Sequence, residues 1–290
     1  MPTRESAFDT AVAGVGTRPV AHNPVHPTYR PDIDGLRAVA VLSVVTYHAF
    51  PSLLPGGFIG VDVFFVISGF LISGIILGNL ERRAFSIADF YCRRINRLFP
   101  ALLVVLAATY LLGWITLLAA EFSQLGKHIA GGATFTSNLL LWRESGYFDN
   151  EAARKPLLHL WSLGVEEQFY VFWPLLVWLA WTRRFNMLAV IVAIAACSFA
   201  LGMLQTASDP TAAFYSPFSR FWELMLGAML ACASVQRRRT LPVVTATVRV
   251  ARLAASVIGA ALLVSALALV REQDFPGWWA TLPTVGTLLL

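Results

Sequence analysis

The sequence predicts an all-α, polytopic bundle of transmembrane helices, and three observations predict it. Hydrophobic residues make up 57% of the 290 positions and charged residues 13%, with a mean hydropathy of +0.65, well beyond the usage of ordinary soluble domains. Apolar runs long enough to cross a bilayer, about 20 residues each, recur along the chain. The basic residues fall in the short gaps between those runs, as membrane insertion requires. A net charge of +5 placed in this way points to a lipid bilayer and not to a nucleic-acid partner.

The runs cover residues 38–54, 58–80, 98–120, 157–181, 187–207, 212–235 and 253–270. A further run starts at Leu282 and reaches only Leu290, short of a bilayer's thickness. On this reading the chain is the N-terminal part of something longer. Residues 1–30 contain Arg4, Arg18 and several prolines but no apolar core of a signal peptide. They are read as a flexible cytoplasmic tail, with the first membrane helix retained as an anchor. Residues 31–290 are read as one transmembrane domain, incomplete at its C-terminal side. Cys92, Cys197 and Cys232 have neither metal-ligand spacing nor the number for a disulfide framework, and are expected to be inert. No metal is expected.

Ile129 to Trp142 is apolar but short, and charge counting decides its path. With the N-terminus inside and this segment not spanning, 16 basic residues lie inside and 5 outside; if it spans, the split falls to 13 against 8. The first topology fits the positive-inside rule better. The segment is therefore read as re-entrant or interfacial, within an outer excursion from Glu121 to Pro156.

Ionisable side chains within the runs are costly there and mark function by default. Arg37 and His48 are eleven residues apart, which places them on one helical face with roughly 16 Å of rise between them. Counted from the outer helix ends, His48 is expected about 10 Å down, Asp62 about 6 Å, Glu166 about 14 Å and Arg220 about 12 Å. Arg37, Arg93, Arg94 and Arg97 collect at the inner face. His159, Glu166 and Tyr170 share a face, so Glu166 is taken as the inward residue, with Arg220 as its counter-ion. Glu223, one turn after Arg220, could satisfy the same arginine. Asp62 either orients His48 or caps the second helix.

Several motifs then stand in order: Tyr29-Arg-Pro-Asp-Ile-Asp-Gly-Leu-Arg37 through His48, Pro55-Gly-Gly-Phe-Ile-Gly-Val-Asp62, and Phe90-Tyr-Cys-Arg-Arg-Ile-Asn-Arg97. They continue with Leu157-Leu-His-Leu-Trp-Ser-Leu-Gly-Val-Glu-Glu-Gln-Phe-Tyr170 and Ser219-Arg-Phe-Trp-Glu-Leu-Met-Leu-Gly227. The chain resembles, from about Tyr29 onward, the membrane acyltransferase-3 family of bacterial O-acyltransferases. Gly146-Tyr-Phe-Asp149 is similar to the subgroup that carries a C-terminal SGNH domain, a domain not found in these residues.

The resemblance implies an acyltransferase, moving groups other than amino-acyl groups, in the bacterial inner membrane. The donor would be cytoplasmic acyl-CoA, most simply acetyl-CoA. The acceptor would be a hydroxyl of a cell-surface or periplasmic glycan such as lipopolysaccharide O-antigen or peptidoglycan, or of a lipid-linked saccharide, with a separate or missing SGNH domain as a further partner. The family's arginine-to-histidine motif falls on Arg37 and His48 and its paired-arginine motif on Arg94 and Arg97. Neutral imidazole suits a general base and the planar arginine fork suits phosphate. His48, Asp62 and Glu166 are thus the catalytic candidates, Arg37, Arg94 and Arg97 the candidates for the coenzyme's phosphates, and Arg220 a counter-ion. Each has a plainer reading: a hydrogen-bonded buried histidine, arginines that only set topology, a structural ion pair. A transporter or flippase would also carry mid-depth charges, but with repeated halves that this sequence lacks. An inactive fragment of the acyltransferase is the other alternative.

Overall fold

The computed structural model describes residues 30–145, 155–239 and 246–290, and among them every regular element is helical. The N-terminal tail, the Gly146-Tyr-Phe-Asp149 motif and Arg154 lie outside the described residues. Eleven α-helices follow one another: α1 (Pro31–Ala49), α2 (Gly60–Glu81), α3 (Ile87–Thr116), α4 (Ala119–Ala133), α5 (Ser137–Glu144) and α6 (Leu160–Thr182). The remainder are α7 (Met187–Ser208), α8 (Pro210–Tyr215), α9 (Pro217–Arg239), α10 (Ala246–Leu269) and α11 (Thr281–Leu289).

Local chemistry moves several boundaries away from the apolar runs. α1 stops at Ala49 rather than continuing to residue 54, because Pro51 pushes Phe50 out of helical conformation. α3 begins three turns ahead of its apolar run, since the Ser86 hydroxyl accepts the Asp89 amide at 3.2 Å and caps the helix. The run at 212–235 is divided at Ser216, ahead of Pro217. Asn186 and Asp209 cap α7 and α8 in the same manner as Ser86.

Among the described residues five stretches are long and apolar enough to cross a membrane: Gly57–Glu81, Ile87–Thr116, Met187–Ser208, Pro210–Gln236 and Thr247–Leu269. This is a multi-pass membrane protein. The sequence runs over α1 and α6 fall below that apolar standard, because α1 carries Asp32, Asp34 and Arg37 and α6 carries Glu166, Glu167 and Gln168. α6 nevertheless presents exposed Val171, Phe172, Leu175 and Leu179 on one side, and its polar side is satisfied by neighbouring helices.

α2, α6 and α9 form the centre and run parallel. Trp173 donates to the Ser73 hydroxyl at 2.8 Å, and Ser68 bonds Glu166, which sets α2 beside α6. α9 lies closer still: a Cβ on Gly69 would collide with the Leu224 carbonyl, and one on Gly227 with that of Val66. Small residues allow this backbone approach where no aqueous hydrophobic force drives helices together. α1 packs antiparallel on α2, with Gly60 against Ala40 and Ser43. α10 and α11 pair through Gly259 and Gly286 and lean on α2. α2 and α6 end in Arg82–Arg83 and Arg183–Arg184, with Arg83 and Arg184 at φ of 56° and 57°, so one end of the bundle is basic.

α4 and α5 make a helical hairpin, which divides the Ile129 to Trp142 segment between two short helices. α4 turns back along α3, where Gly113 meets Leu125 and Leu106 meets Gly132. The chain reverses at Phe135, and α5 runs back toward the start of α6, ending where Glu144 meets Lys155 at 2.9 Å. α3 packs chiefly on α4, which leaves a cleft between α3 and α6.

Candidate active site

Three of the polar assemblies among the described residues hold the carboxylates and arginines singled out in the sequence, and α6 takes part in two of these. Glu166 receives hydrogen bonds from the Ser68 hydroxyl of α2 and from Tyr170 one turn further along α6. Glu167, about 100° around the helix, faces α3 instead. There the Arg94 guanidinium grips it through Nη2 at 2.6 Å and Nε at 3.1 Å and lies 3.5 Å over the Tyr170 ring. Both partners stand seven residues from the start of their helices, so each is about 10 Å inside the bundle. A charge pair at such depth persists only when both members are hydrogen-bonded.

A cavity of about 270 Å³ opens beside this pair, far above the roughly 10–15 Å³ that one water requires. Arg94, Glu167 and Tyr170 form its polar side, and Ile95, Leu98 and Phe135 are among its apolar walls. Tyr91 bridges its edge by donating to the Val171 carbonyl at 2.6 Å.

The third assembly is Asp62, Arg220 and Glu223, which are 0%, 1% and 0% exposed. Arg220 Nη2 donates to Asp62 Oδ1 at 2.9 Å, and its Nε stands 3.2 Å from Glu223 Oε1. Phe275, Phe65 and Phe214 surround the guanidinium at 5.1, 5.6 and 5.9 Å.

These contacts correct several expectations. Arg220 is the partner of Asp62 and Glu223, not of Glu166, because the glycine contact between α2 and α9 brings residues 62 and 220 together while Glu166 turns to Ser68. Asp62 is therefore committed to Arg220 and does not orient His48. Arg94 does not wait at the inner face, since the early start of α3 carries it inside to Glu167. His48 lies one residue from the end of α1 and is exposed, not buried about 10 Å down, because the helix stops short. Its Nδ1 lies 2.8 Å from the Val44 carbonyl. With that nitrogen as donor, Nε2 keeps its lone pair.

Arg37 shares the face of α1 with His48 and reaches Asp34 at 3.5 Å, one third exposed. Arg97 is exposed one turn beyond Arg94. His159 is the N-cap of α6. From His159 the face of α6 continues through Glu166 to Tyr170, and from the Tyr170 ring to Arg94 and the cavity. Ionisable groups thus line a path from the start of α6 to the α3–α6 cleft.

Glu167, Ser68 and Phe135 escaped the sequence reading. Glu167 was discoverable: a helix with neighbours on two sides can use both members of a Glu-Glu pair. Ser68 gave no signal beyond a small polar residue in an apolar run. Among the described residues no group of three or more His, Cys, Asp or Glu could hold a metal ion.

The chain matches the acyltransferase domain family over residues 30–290. It is 37% identical over 230 residues to YrhL of Bacillus subtilis, an alignment covering 75% of this chain and 35% of that protein. It is 36% identical over 221 residues to the peptidoglycan O-acetyltransferase OatA of Listeria monocytogenes, covering 70% and 34%. An uncharacterized protein of Haemophilus influenzae is 38% identical over 181 residues, covering 59% and 73%. The chain spans about a third of the length of the first two relatives. No solved structure matches it. With nine tenths of its length matched in one continuous stretch, the chain belongs to the acyltransferase domain family.

Proposed function

We propose that this bundle transfers an acetyl group from cytoplasmic acetyl-CoA, across the inner membrane, to a hydroxyl of a cell-envelope glycan, with peptidoglycan the first candidate. The observation that carries the reading is the face of α6 that runs from His159 through Glu166 to Tyr170 and ends at the cavity beside Arg94. Support for the acceptor comes from OatA, which is a peptidoglycan O-acetyltransferase.

In the proposed reaction the acceptor oxygen bonds to the acyl carbon and its proton passes to His48 Nε2. The carbon–sulfur bond breaks, and the departing thiolate takes up that proton. His48 suits the role because its other nitrogen is occupied by the Val44 carbonyl, which fixes the tautomer as a base requires. Arg37, one third exposed on α1, and Arg97, exposed on α3, are assigned the coenzyme's phosphates. Arg94, held by Glu167, shapes the cleft that admits the thioester arm. Glu166 is assigned to the acid/base path between the cleft and His48. The N-terminus and the arginine end of the bundle are placed in the cytoplasm.

The test is acetyl transfer by the full-length protein in proteoliposomes, with labelled acetyl-CoA on one side and a glycan fragment on the other. His48→Gln keeps a hydrogen-bonding side chain but cannot accept a proton at neutral pH, so turnover should drop by roughly 100- to 10,000-fold. Near-full turnover in that variant removes His48 from the chemistry.

A further inference from the structure

Phe135 occupies the turn between α4 and α5 with φ at 56°, a left-handed conformation that favours glycine and penalises a bulky side chain. Its position is clamped rather than loose. The Phe135 carbonyl accepts from Gln168 Nε2 at 2.8 Å, and the same nitrogen bonds Asn138 Oδ1 at 2.9 Å. Asn138, 0% exposed, donates in turn to the Tyr215 carbonyl at 3.1 Å. The hairpin tip is thereby fixed to α6 and α8. Its ring lines the α3–α6 cavity and meets Phe99 edge-on at 5.8 Å.

A glycine at this turn would remove the backbone strain, and the chain instead keeps the ring. Arg83 and Arg184 take the same backbone where α2 and α6 end, as helix ends often do; what sets Phe135 apart is that it lines the cavity, so its side chain and not its backbone is what serves the cavity. The cavity's apolar walls on α3 are aliphatic at Ile95 and Leu98 and aromatic at Tyr91 and Phe99, while its charged side is formed by Arg94 and Glu167. An occupant with a short apolar end and a polar body fits both. The thioester donor of the proposed reaction has that form.

Resting on that reading, we propose that Phe135 is the end wall of the donor cleft and limits the length of the acyl chain accepted, with Gln168 and Asn138 as the residues that hold the wall in place.

The experiment uses the full-length protein in proteoliposomes and compares transfer from acetyl-CoA and hexanoyl-CoA to one glycan acceptor. Phe135→Gly removes the ring while supplying the residue that the turn's backbone prefers, so the fold should be retained. The hexanoyl-to-acetyl ratio of kcat/KM should rise by about tenfold or more, because each methylene accommodated in an apolar pocket is worth about that much. Gln168→Met, which keeps the side-chain length but releases the Phe135 carbonyl, should move the ratio in the same direction by less. Acetyl transfer in both variants with the ratio unchanged overturns the proposal and leaves the cleft to a bilayer lipid. Failure of the parent protein to use any acyl-CoA defeats the donor reading itself, a separate outcome visible before either variant is made.

Discussion

Asp62→Asn and Glu223→Gln remove one charge each from the same buried cluster, yet they should differ widely in cost. Arg220 is 1% exposed and its direct hydrogen bond goes to Asp62 at 2.9 Å. Replacing Asp62 leaves the guanidinium buried with only Glu223, whose carboxylate meets Arg220 Nε at 3.2 Å without a well-aligned hydrogen bond. Breaking a buried pair in this way costs about 3–5 kcal/mol. Glu223→Gln acts in the opposite sense: two carboxylates facing one guanidinium become one, and the shorter contact is kept. Its cost should stay below about 1 kcal/mol. The assay is unfolding of the purified full-length protein in mixed micelles with increasing SDS, with thermal midpoints as a second measure. A gap of 3–5 kcal/mol corresponds to a difference in Tm on the order of 10 °C. A third variant separates structure from chemistry. Asp62→Leu combined with Arg220→Met replaces the pair by apolar side chains, which is often neutral, so stability should return, and acetyl transfer with it if the pair is only structural. Equal destabilisation by Asp62→Asn and Glu223→Gln would refute the reasoning, as would a larger loss for Glu223→Gln.

The Arg94–Glu167 pair should behave similarly: Arg94→Ala leaves a carboxylate that is 6% exposed without its partner and should cost about 3–5 kcal/mol. Adding Glu167→Gln should recover most of that loss in the same SDS titration. Arg97→Ala should raise the KM for acetyl-CoA with little change in the KM for the glycan, read from initial rates at varied donor and acceptor. A topology reporter fused after Arg97 or Arg184 should read cytoplasmic and one after Ser145 extracytoplasmic, as the 16 to 5 basic split requires. A cytoplasmic signal after Ser145 would mean that the α4–α5 hairpin crosses the bilayer.

The helical class and five of the seven spanning runs were legible, because burying backbone amides in lipid leaves few alternatives to a helix. The break of the Ile129–Trp142 segment into two short helices is in keeping with its length, which is too short to span, while its place in the bilayer rests on charge counting. Partner choice was not legible. Helical periodicity put His159, Glu166 and Tyr170 on one face of α6, and the Glu166–Tyr170 bond agrees with that. It carried no information on which helix stands opposite that face, so Arg220 was assigned to the wrong carboxylate. What decides that pairing is the contact of Gly69 with Leu224 and of Gly227 with Val66, a feature of tertiary packing that appears in the sequence only as scattered glycines.

Boundary signals of one residue had the largest consequences for the site. Pro51 ends α1 at Ala49 and so leaves His48 exposed near the end of the helix. Ser86 starts α3 early and so carries Arg94 about 10 Å along the helix, where Glu167 can take it. Had α3 begun with its apolar run at residue 98, the whole Phe90–Arg97 motif would lie in a loop at the basic end, and the cavity beside Arg94 would lose that wall. The arginine motif thus depends on a serine outside it. Ser86→Ala, which removes a cap worth about 1 kcal/mol, should therefore fray the first turn of α3 and weaken donor binding more than it weakens the fold. Direct binding of a non-hydrolysable acetyl-CoA analogue, set beside the SDS unfolding midpoint, separates the two effects. Equal proportional losses in both measurements would make the cap merely structural, and the position of Arg94 would then be fixed by Glu167 alone.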